Sequence, residues 1–264
     1  KGLEVGQKVV LEPQVTCGKC YPCTHGKYNL CTELKVMGFQ TTGAASEYFA
    51  VDASKVDVIP DSMTYDEAAL IEPLAVTVHA AKRFPDINGA IIGCGPIGIL
   101  LMQSCKALGA AKVLITDISD YRLELAKSLG ADYAINTAKV PYADAIAEVF
   151  GPDKADVTYE CAGNNATTDM AIQNSRKGSV IVLVAVFADW AKVDLARLND
   201  SELTLDTSMM SRHEYYVDAL RFVAEGKIQL KPLISKHFAF RDFLSAYQYI
   251  DANRERTMKV VVDI

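Results

Sequence analysis

Residues 89–110 read GAIIGCGPIGILLMQSCKALGA. Ala90 to Ile92 make a short apolar run, and Gly93, Gly95 and Gly98 then fall in the spacing G-x-G-x-x-G. Ile97, Leu101, Cys105 and Leu108 recur every three or four residues, as on one helix face, and Gly109 stands where that helix would end. A strand, a glycine turn and a helix in this order suit a dinucleotide. Gly93 permits the tight turn, Gly95 lets the backbone approach a pyrophosphate, and Gly98 lets helix pack closely on strand. The helix that opens with Pro96 and Ile97 would turn free N–H groups toward the phosphates.

Working outward, the same alternation continues. AKVLIT is a second strand closed by Asp117, nineteen residues past Gly98. An acid there accepts hydrogen bonds from an adenosine ribose and repels a 2′-phosphate, which favours NAD over NADP; otherwise Asp117 is a helix-capping residue. Arg122, five residues on, either contacts adenosine or lies on a solvated helix face. Ser119 is an expected N-cap for the helix in SDYRLELAKSLGA. Strands follow at DYAIN, ADVTYE and SVIVLVAV, with helices at YADAIAEVF and NATTDMAIQNS and a sixth strand at ELTLDT. Such units build a parallel sheet covered by helices on both faces. Cys161, Val184 and Val186 follow the fourth and fifth strands, where such sheets meet the nicotinamide end of the cofactor; for Cys161 the competing reading is a small buried residue. After residue 210, EYYVDALRFVAEGKI and FAFRDFLSAYQYIDAN read as helices and MKVVVDI as a closing strand.

Upstream, the character changes. GQKVVLEPQV reads as one strand, and TTGAASEYFAVDASKVDVIP as several short strand-like pieces. SMTYDEAALIEPLAVTVHAAKR carries helical spacing, with His79 as a packed or boundary residue. Between the two strand-like segments lies CGKCYPCTHGKYNLC, residues 17–31, holding four of the chain's seven cysteines. Cys17, Cys20, Cys23 and Cys31 read C-x2-C-x2-C-x7-C. Tetrahedral zinc takes four such thiolates at about 2.3 Å, and four protein ligands leave no open position, so this zinc is structural. The competing reading is two local disulfides. His25 is read as a solvated loop residue.

A formal charge of −6 argues against a nucleic-acid partner. No apolar run reaches the ~18 residues of a membrane helix. Singly scattered Cys94, Cys105 and Cys161 point to a reducing, cytoplasmic setting rather than a disulfide framework.

Taken together, CGKCYPCTHGKYNLC, IEPLAVTVHA, GCGPIG and TDISDYRLELAKSLGAD resemble the medium-chain zinc-dependent alcohol and polyol dehydrogenases, over essentially the whole chain. The resemblance implies an α/β fold: a Rossmann-type doubly wound parallel sheet plus a partial GroES-like β domain. The expected divisions are 1–76 with the zinc loop, 77–210 binding NAD, and 211–264 returning to the first domain. It implies hydride transfer between a secondary alcohol and NAD, on a polyol or sugar derivative, with a catalytic zinc to which Glu72 belongs as a metal-site and catalytic residue. Without the resemblance, Glu72 is a glutamate opening a helix, favoured by the helix dipole. The family also carries a cysteine and a Gly-His-Glu element upstream of KVVLEP. Lys1 lies just beyond where they belong, so these 264 residues alone are expected to be inactive although the parent is active. The family's Arg-Tyr pair is not reproduced in register at SMMSRHEYY; Arg212 either meets an anionic sugar derivative or lies at the surface. The alternatives are a threonine- or sugar-acid-type dehydrogenase, or a non-catalytic NAD-binding protein. A homodimer or homotetramer is expected, because ELTLDT reads as an edge strand.

Overall fold

The computed structural model describes residues 2–264; Lys1, first residue of the expected opening domain, lies outside them. The chain divides into two units. One holds the residues up to Val76, then Met209–Gly226 and Leu230–Ile264; the other holds Thr77–Ser208 and Lys227–Gln229. The return thus begins at Met209 rather than at 211, and Lys227–Gln229 go back to the second unit. Gln103 gives the reason: its Nε2 donates to the Gln229 carbonyl at 3.1 Å and its Oε1 accepts from Gln229 N at 2.8 Å.

The first unit opens with β1 (Val9–Leu11), β2 (Gln14–Val15), α1 (Tyr21–Thr24), β3 (Lys35–Val36), β4 (Val56–Val58) and α2 (Tyr65–Ala69). β1 pairs antiparallel with β4, and β2 with β3. The single strand expected over 6–15 is therefore two. Pro13 has no N–H to give a ladder, while Glu12 N leaves for the Lys55 carbonyl at 2.8 Å. Of the pieces expected over 41–60, only β4 forms a strand, preceded by a 3-10 turn at Ala53–Lys55 that Asp52 caps. The helix expected over 62–83 is also two, α2 and α3 (Ile71–Lys82). Pro73 explains the break: in a continuous helix its ring would strike the carbonyl of Ala69, four residues back. Pro73 falls instead in the first turn of α3, where no intrahelical N–H is required.

The second unit continues with β5 (Asn88–Ile92), α4 (Pro96–Ala107), β6 (Lys112–Asp117), α5 (Asp120–Ser128), β7 (Tyr133–Asn136), α6 (Tyr142–Phe150), β8 (Val157–Glu160), α7 (Asn165–Asn174), β9 (Val180–Leu183), α8 (Leu195–Asp200) and β10 (Thr204–Thr207). Only α8 has no counterpart in the sequence reading. The sheet is parallel in the order β10-β9-β8-β5-β6-β7. β5, first in the chain, is central and buried on both faces, as Ala90 and Ile91 at 0 % exposure show. Its neighbours are β6 on one side and β8 on the other. The strand order therefore reverses beside the carboxyl end of β5, the position where open α/β sheets bind ligands. On one face, Ala90, Ile92 and Leu114 pack with Tyr142, Ile146 and Ile172.

The chain then returns through α9 (His213–Ala224), β11 (Ile234–Ala239), α10 (Phe243–Ala252) and β12 (Lys259–Asp263). Phe238 and Ala239, expected in a helix, lie in β11, which pairs parallel with β12 through Phe238↔Val262 and Ala239↔Asp263. No helix among the described residues is long and apolar enough to cross a membrane.

Candidate functional site

At the carboxyl end of β5 the three glycines carry three different constraints. Gly93 has φ +101° and donates to the Thr116 carbonyl at 2.8 Å. A Cβ there would lie 3.2 Å from Ala162 N and from the Cys161 carbonyl carbon. Gly98 is closed by close approach: its Cβ would lie 1.8 Å from the Gly93 oxygen. Gly95 is the opposite case, with nothing within 4 Å of a built Cβ. Its side-chain-free face is open, which is what a diphosphate needs for close backbone approach. Pro96 occupies the first helical position and needs no N–H, while Ile97 and Gly98 lie in the first turn of α4, where amides lack intrahelical acceptors. The local structure thus fits a dinucleotide.

Asp117 closes β6 and braces this turn. Its Oδ2 accepts from Cys94 N at 2.7 Å; its Oδ1 accepts from Ile118 N at 2.8 Å and Ser119 N at 2.9 Å. Three backbone amides thus share a carboxylate with roughly four acceptor positions, so one position remains for a ligand hydroxyl. The capping role and the ribose role are compatible. Ser119 caps α5, its Oγ accepting from Arg122 N. The Arg122 carbonyl in turn accepts from the Cys94 thiol at 3.2 Å, so Arg122 touches the glycine turn through its backbone.

Across the switch point, Cys161 N donates to the Ile92 carbonyl at 2.9 Å, continuing the β5–β8 ladder by one residue. Burial pushes its thiol well above the usual range, the behaviour of a packed, unreactive residue. Val184 is 8 % exposed and Val186 is 91 % exposed. The sequence reading missed Glu160, the last residue of β8, at 0 % exposure. The available signal was an acid ending an otherwise apolar strand immediately before Cys161.

In the other unit, Cys17, Cys20, Cys23 and Cys31 place their four sulfurs within 4.8 Å of one another with no disulfide formed. The spacing suits tetrahedral thiolate ligation, with all four sulfurs in one group rather than two separate pairs. Gly18 and Gly26, at φ +70° and +71°, turn the chain on either side of the short helix α1. Backbone amides point at the sulfurs, from Cys17 N to Cys31 Sγ at 3.3 Å and from Cys20 N to Cys17 Sγ at 3.4 Å. Amide donation from Thr32 and Cys23 brings the Cys20 thiol down to about 6, whereas burial and the neighbouring thiols push Cys23 up to about 12. Four crowded thiols cannot all ionise without a cation, and the set fits a zinc ion. His25 is exposed and stacks on Tyr21 at 3.9 Å, outside the sulfur set.

The return segment of this unit grips the loop. Asn29 Nδ2 donates to the Met209 carbonyl at 2.9 Å, and Arg212 Nη1 donates to the Gly26 carbonyl at 2.9 Å. Arg212 also pairs with Glu214 at 2.8 Å and donates to the Tyr215 hydroxyl at 2.6 Å. Its guanidinium is engaged in holding the zinc loop, which displaces the reading of Arg212 as a receptor for an anionic substrate. His79, in the nucleotide-side unit, is buried with Ser208 Oγ 3.4 Å from its Nδ1, as a packed histidine.

Glu72 is the second residue of α3. Burial pushes its carboxyl up and pushes the nearby Lys259 amine down, each opposing the other's shift through its charge. Among the described residues, no Cys, His, Asp or second Glu groups with Glu72 as a ligand set. These residues therefore do not by themselves fit a catalytic zinc. Two other groupings exist that the sequence reading did not anticipate. Glu12 Oε1 lies 2.6 Å from His213 Nδ1, with Asp57 Oδ1 3.5 Å from the same nitrogen. His237 stands between Asp66 and Asp263, one carboxylate at each ring nitrogen; placement on opposite nitrogens suits a ring that bridges the two rather than ligation of one metal ion.

Residues 96–225 match the family described as zinc-binding dehydrogenase, and residues 1–61 match the alcohol dehydrogenase GroES-like domain. The chain is 31 % identical over 264 residues to sorbitol dehydrogenase of Bacillus subtilis, covering 98 % of this chain and 74 % of that protein. It is 33 % identical over 248 residues to L-idonate 5-dehydrogenase of Vitis vinifera, covering 91 % and 68 % respectively. Among solved structures, an alcohol dehydrogenase from E. coli CFT073 complexed with NADH superposes with a TM-score of 0.91 at 29 % identity, covering 100 % of this chain and 80 % of that one.

Proposed function

This chain belongs to the zinc-binding medium-chain dehydrogenase family, and on that premise we propose the residues through which it serves NAD-linked oxidation of a polyol. The enzyme moves hydride between a secondary alcohol and NAD, with zinc and the dinucleotide as cofactors. The observation that carries the assignment of residues is the contrast among the glycines: Gly93 and Gly98 are closed by packing, and Gly95 alone is left open toward solvent.

Gly93, Gly95, Pro96, Ile97 and Gly98 receive the diphosphate at the amino end of α4, where backbone dipoles favour negative charge. Asp117 offers its remaining acceptor position to the adenosine ribose and repels a 2′-phosphate, selecting NAD. Arg122 borders the adenosine. Cys161, Val184 and Val186 border the nicotinamide end, Val186 with an exposed apolar side chain that keeps water from one side of it. Cys17, Cys20, Cys23 and Cys31 hold a structural zinc. Glu72 is this chain's contribution to the catalytic metal's surroundings; the described residues complete no ligand set there, and no chemical step is assigned to it. The bound dinucleotide supplies the hydride acceptor.

The β10 edge, free on one side among the described strands, supports pairing into a homodimer or homotetramer. Singly scattered Cys94, Cys105 and Cys161 suit a reducing, cytoplasmic setting. A sugar acid is the second substrate reading, supported by the similarity to L-idonate 5-dehydrogenase.

Calorimetric titration with NADH and NADPH tests the site: NADH is expected to bind and NADPH to bind at least about tenfold more weakly, a difference of about 1.4 kcal/mol. No heat with either overturns it. NADH formation from sorbitol against idonate, measured on protein that carries a complete catalytic zinc ligand set, separates the substrate classes, and sedimentation velocity reads the oligomer.

A further inference from the structure

Glu160 ends β8 as a carboxylate that is 0 % exposed. Burying a charge is costly unless it is hydrogen-bonded, and here it is. Glu160 Oε1 accepts from Ala162 N and Gly163 N at 2.9 Å each, and Oε2 accepts from Gly163 N at 3.1 Å. Its backbone carbonyl accepts from Val184 N at 2.9 Å and from Ala185 N at 3.1 Å. One residue thus fixes both segments that leave the sheet beside the switch point, the 161–163 turn and the start of the loop after β9.

The turn is held from the outside as well. Gly163 has φ +73°, and a Cβ on it would lie 2.8 Å from the Val186 carbonyl oxygen. The N–H and C=O of a trans peptide point in opposite directions. With the amides of Ala162 and Gly163 turned onto the buried carboxylate, the carbonyls of Cys161 and Ala162 are turned away from it. Gly93 packs against this turn, its would-be Cβ 3.2 Å from Ala162 N. The turn therefore sits beside the first glycine of the diphosphate loop.

We propose that Glu160 is a positioning residue for the nicotinamide half of the dinucleotide, orienting the Cys161 and Ala162 carbonyls as acceptors for its ribose and carboxamide. The inference rests on the dinucleotide reading above. A carboxylate does here what an amide cannot. Both of its oxygens accept, whereas the amide of a glutamine would turn a donor toward one of the inward-facing N–H groups.

The test compares NADH with ADP-ribose, which carries the adenosine and diphosphate but no nicotinamide, by calorimetry on the full chain. In Glu160→Gln, NADH is expected to bind about tenfold more weakly, the effect of one lost hydrogen bond to a charged group. ADP-ribose affinity is expected to stay within about twofold. Gly163→Ala perturbs the same turn from the side of the Val186 carbonyl and is expected to show the same selectivity, so a misfolded Glu160 variant does not decide the matter. Unchanged NADH affinity in both variants overturns the proposal. So does equal weakening of the two ligands, which is the signature of a purely structural residue. Failure of the unaltered chain to bind either ligand removes the dinucleotide reading itself.

Discussion

Gly98 shows how far a single residue constrains this protein. Its Cβ would lie 1.8 Å from the Gly93 oxygen, a backbone atom that cannot swing aside. Gly98→Ala is expected to destabilise the chain by about 3 kcal/mol, the upper end for inserting a methyl into a packed interior, read as a lowered denaturation midpoint. The glycine spacing announced this in the sequence. Glu12 was silent there, because nothing in VVLEPQV says which way its side chain faces. It is 2 % exposed, and burial, only partly offset by His213 and reinforced by Asp57, raises its carboxyl above the ordinary value of 4.5. The folded chain therefore holds the Glu12 proton more tightly than the unfolded chain. Its contribution is complete below the ordinary carboxylate range and declines as pH rises through the raised value. Glu12→Gln is expected to flatten that decline. Urea midpoints should then match the unaltered chain in acid and exceed it near neutrality; parallel curves would contradict the expectation.

At the scale of elements, helix beginnings decided more than helix periodicity. Thr64 Oγ1 accepts from Glu67 N at 3.3 Å while Glu67 Oε2 accepts from Thr64 N at 2.9 Å, a reciprocal capping box for α2. Thr64→Ala is expected to cost about 1 kcal/mol of stability, seen as a downward shift of the thermal midpoint. Thr64-x-x-Glu67 was legible as a motif, yet the uninterrupted Ala and Leu density around it read as one helix. Pro73 overruled that density. The same competition misplaced the start of α10, where the aromatic run from Phe238 has no marked polarity. Pairing with β12 took Phe238 and Ala239 into a strand. Ser119, Pro96 and Gly109, by contrast, carry local backbone chemistry, and each stands where the sequence placed it.

For the molecule as a whole, the four-cysteine loop rests on more than apolar packing, since α1 has no buried residue. Zinc–thiolate sites in small peptides are worth about 10–16 kcal/mol at neutral pH. Cobalt substitution is expected to give the intense thiolate charge-transfer absorption of a four-sulfur site, lost in Cys31→Ser. Chelation is expected to expose the backbone of residues 17–31 to hydrogen exchange while the strands of the six-stranded sheet stay protected. Loss of protection throughout the sheet would show that the metal supports more than its own loop.

The sequence by itself determined what local backbone chemistry dictates: the glycine turn, the alternation of buried strand and helix that makes a parallel sheet, and the thiolate spacing. Those features depend on neighbours within a few residues, so they can be read along the chain. Only the tertiary structure decided which distant groups meet. It brought Glu160 under the turn it holds, wrapped Asp117 around three amides, turned Arg212 onto the zinc loop, and gathered Glu12, Asp57 and His213 from three separate stretches of the chain. A side chain's partner across 201 residues, as between Glu12 and His213, leaves no periodic trace, because burial and direction are set by topology rather than by sequence spacing.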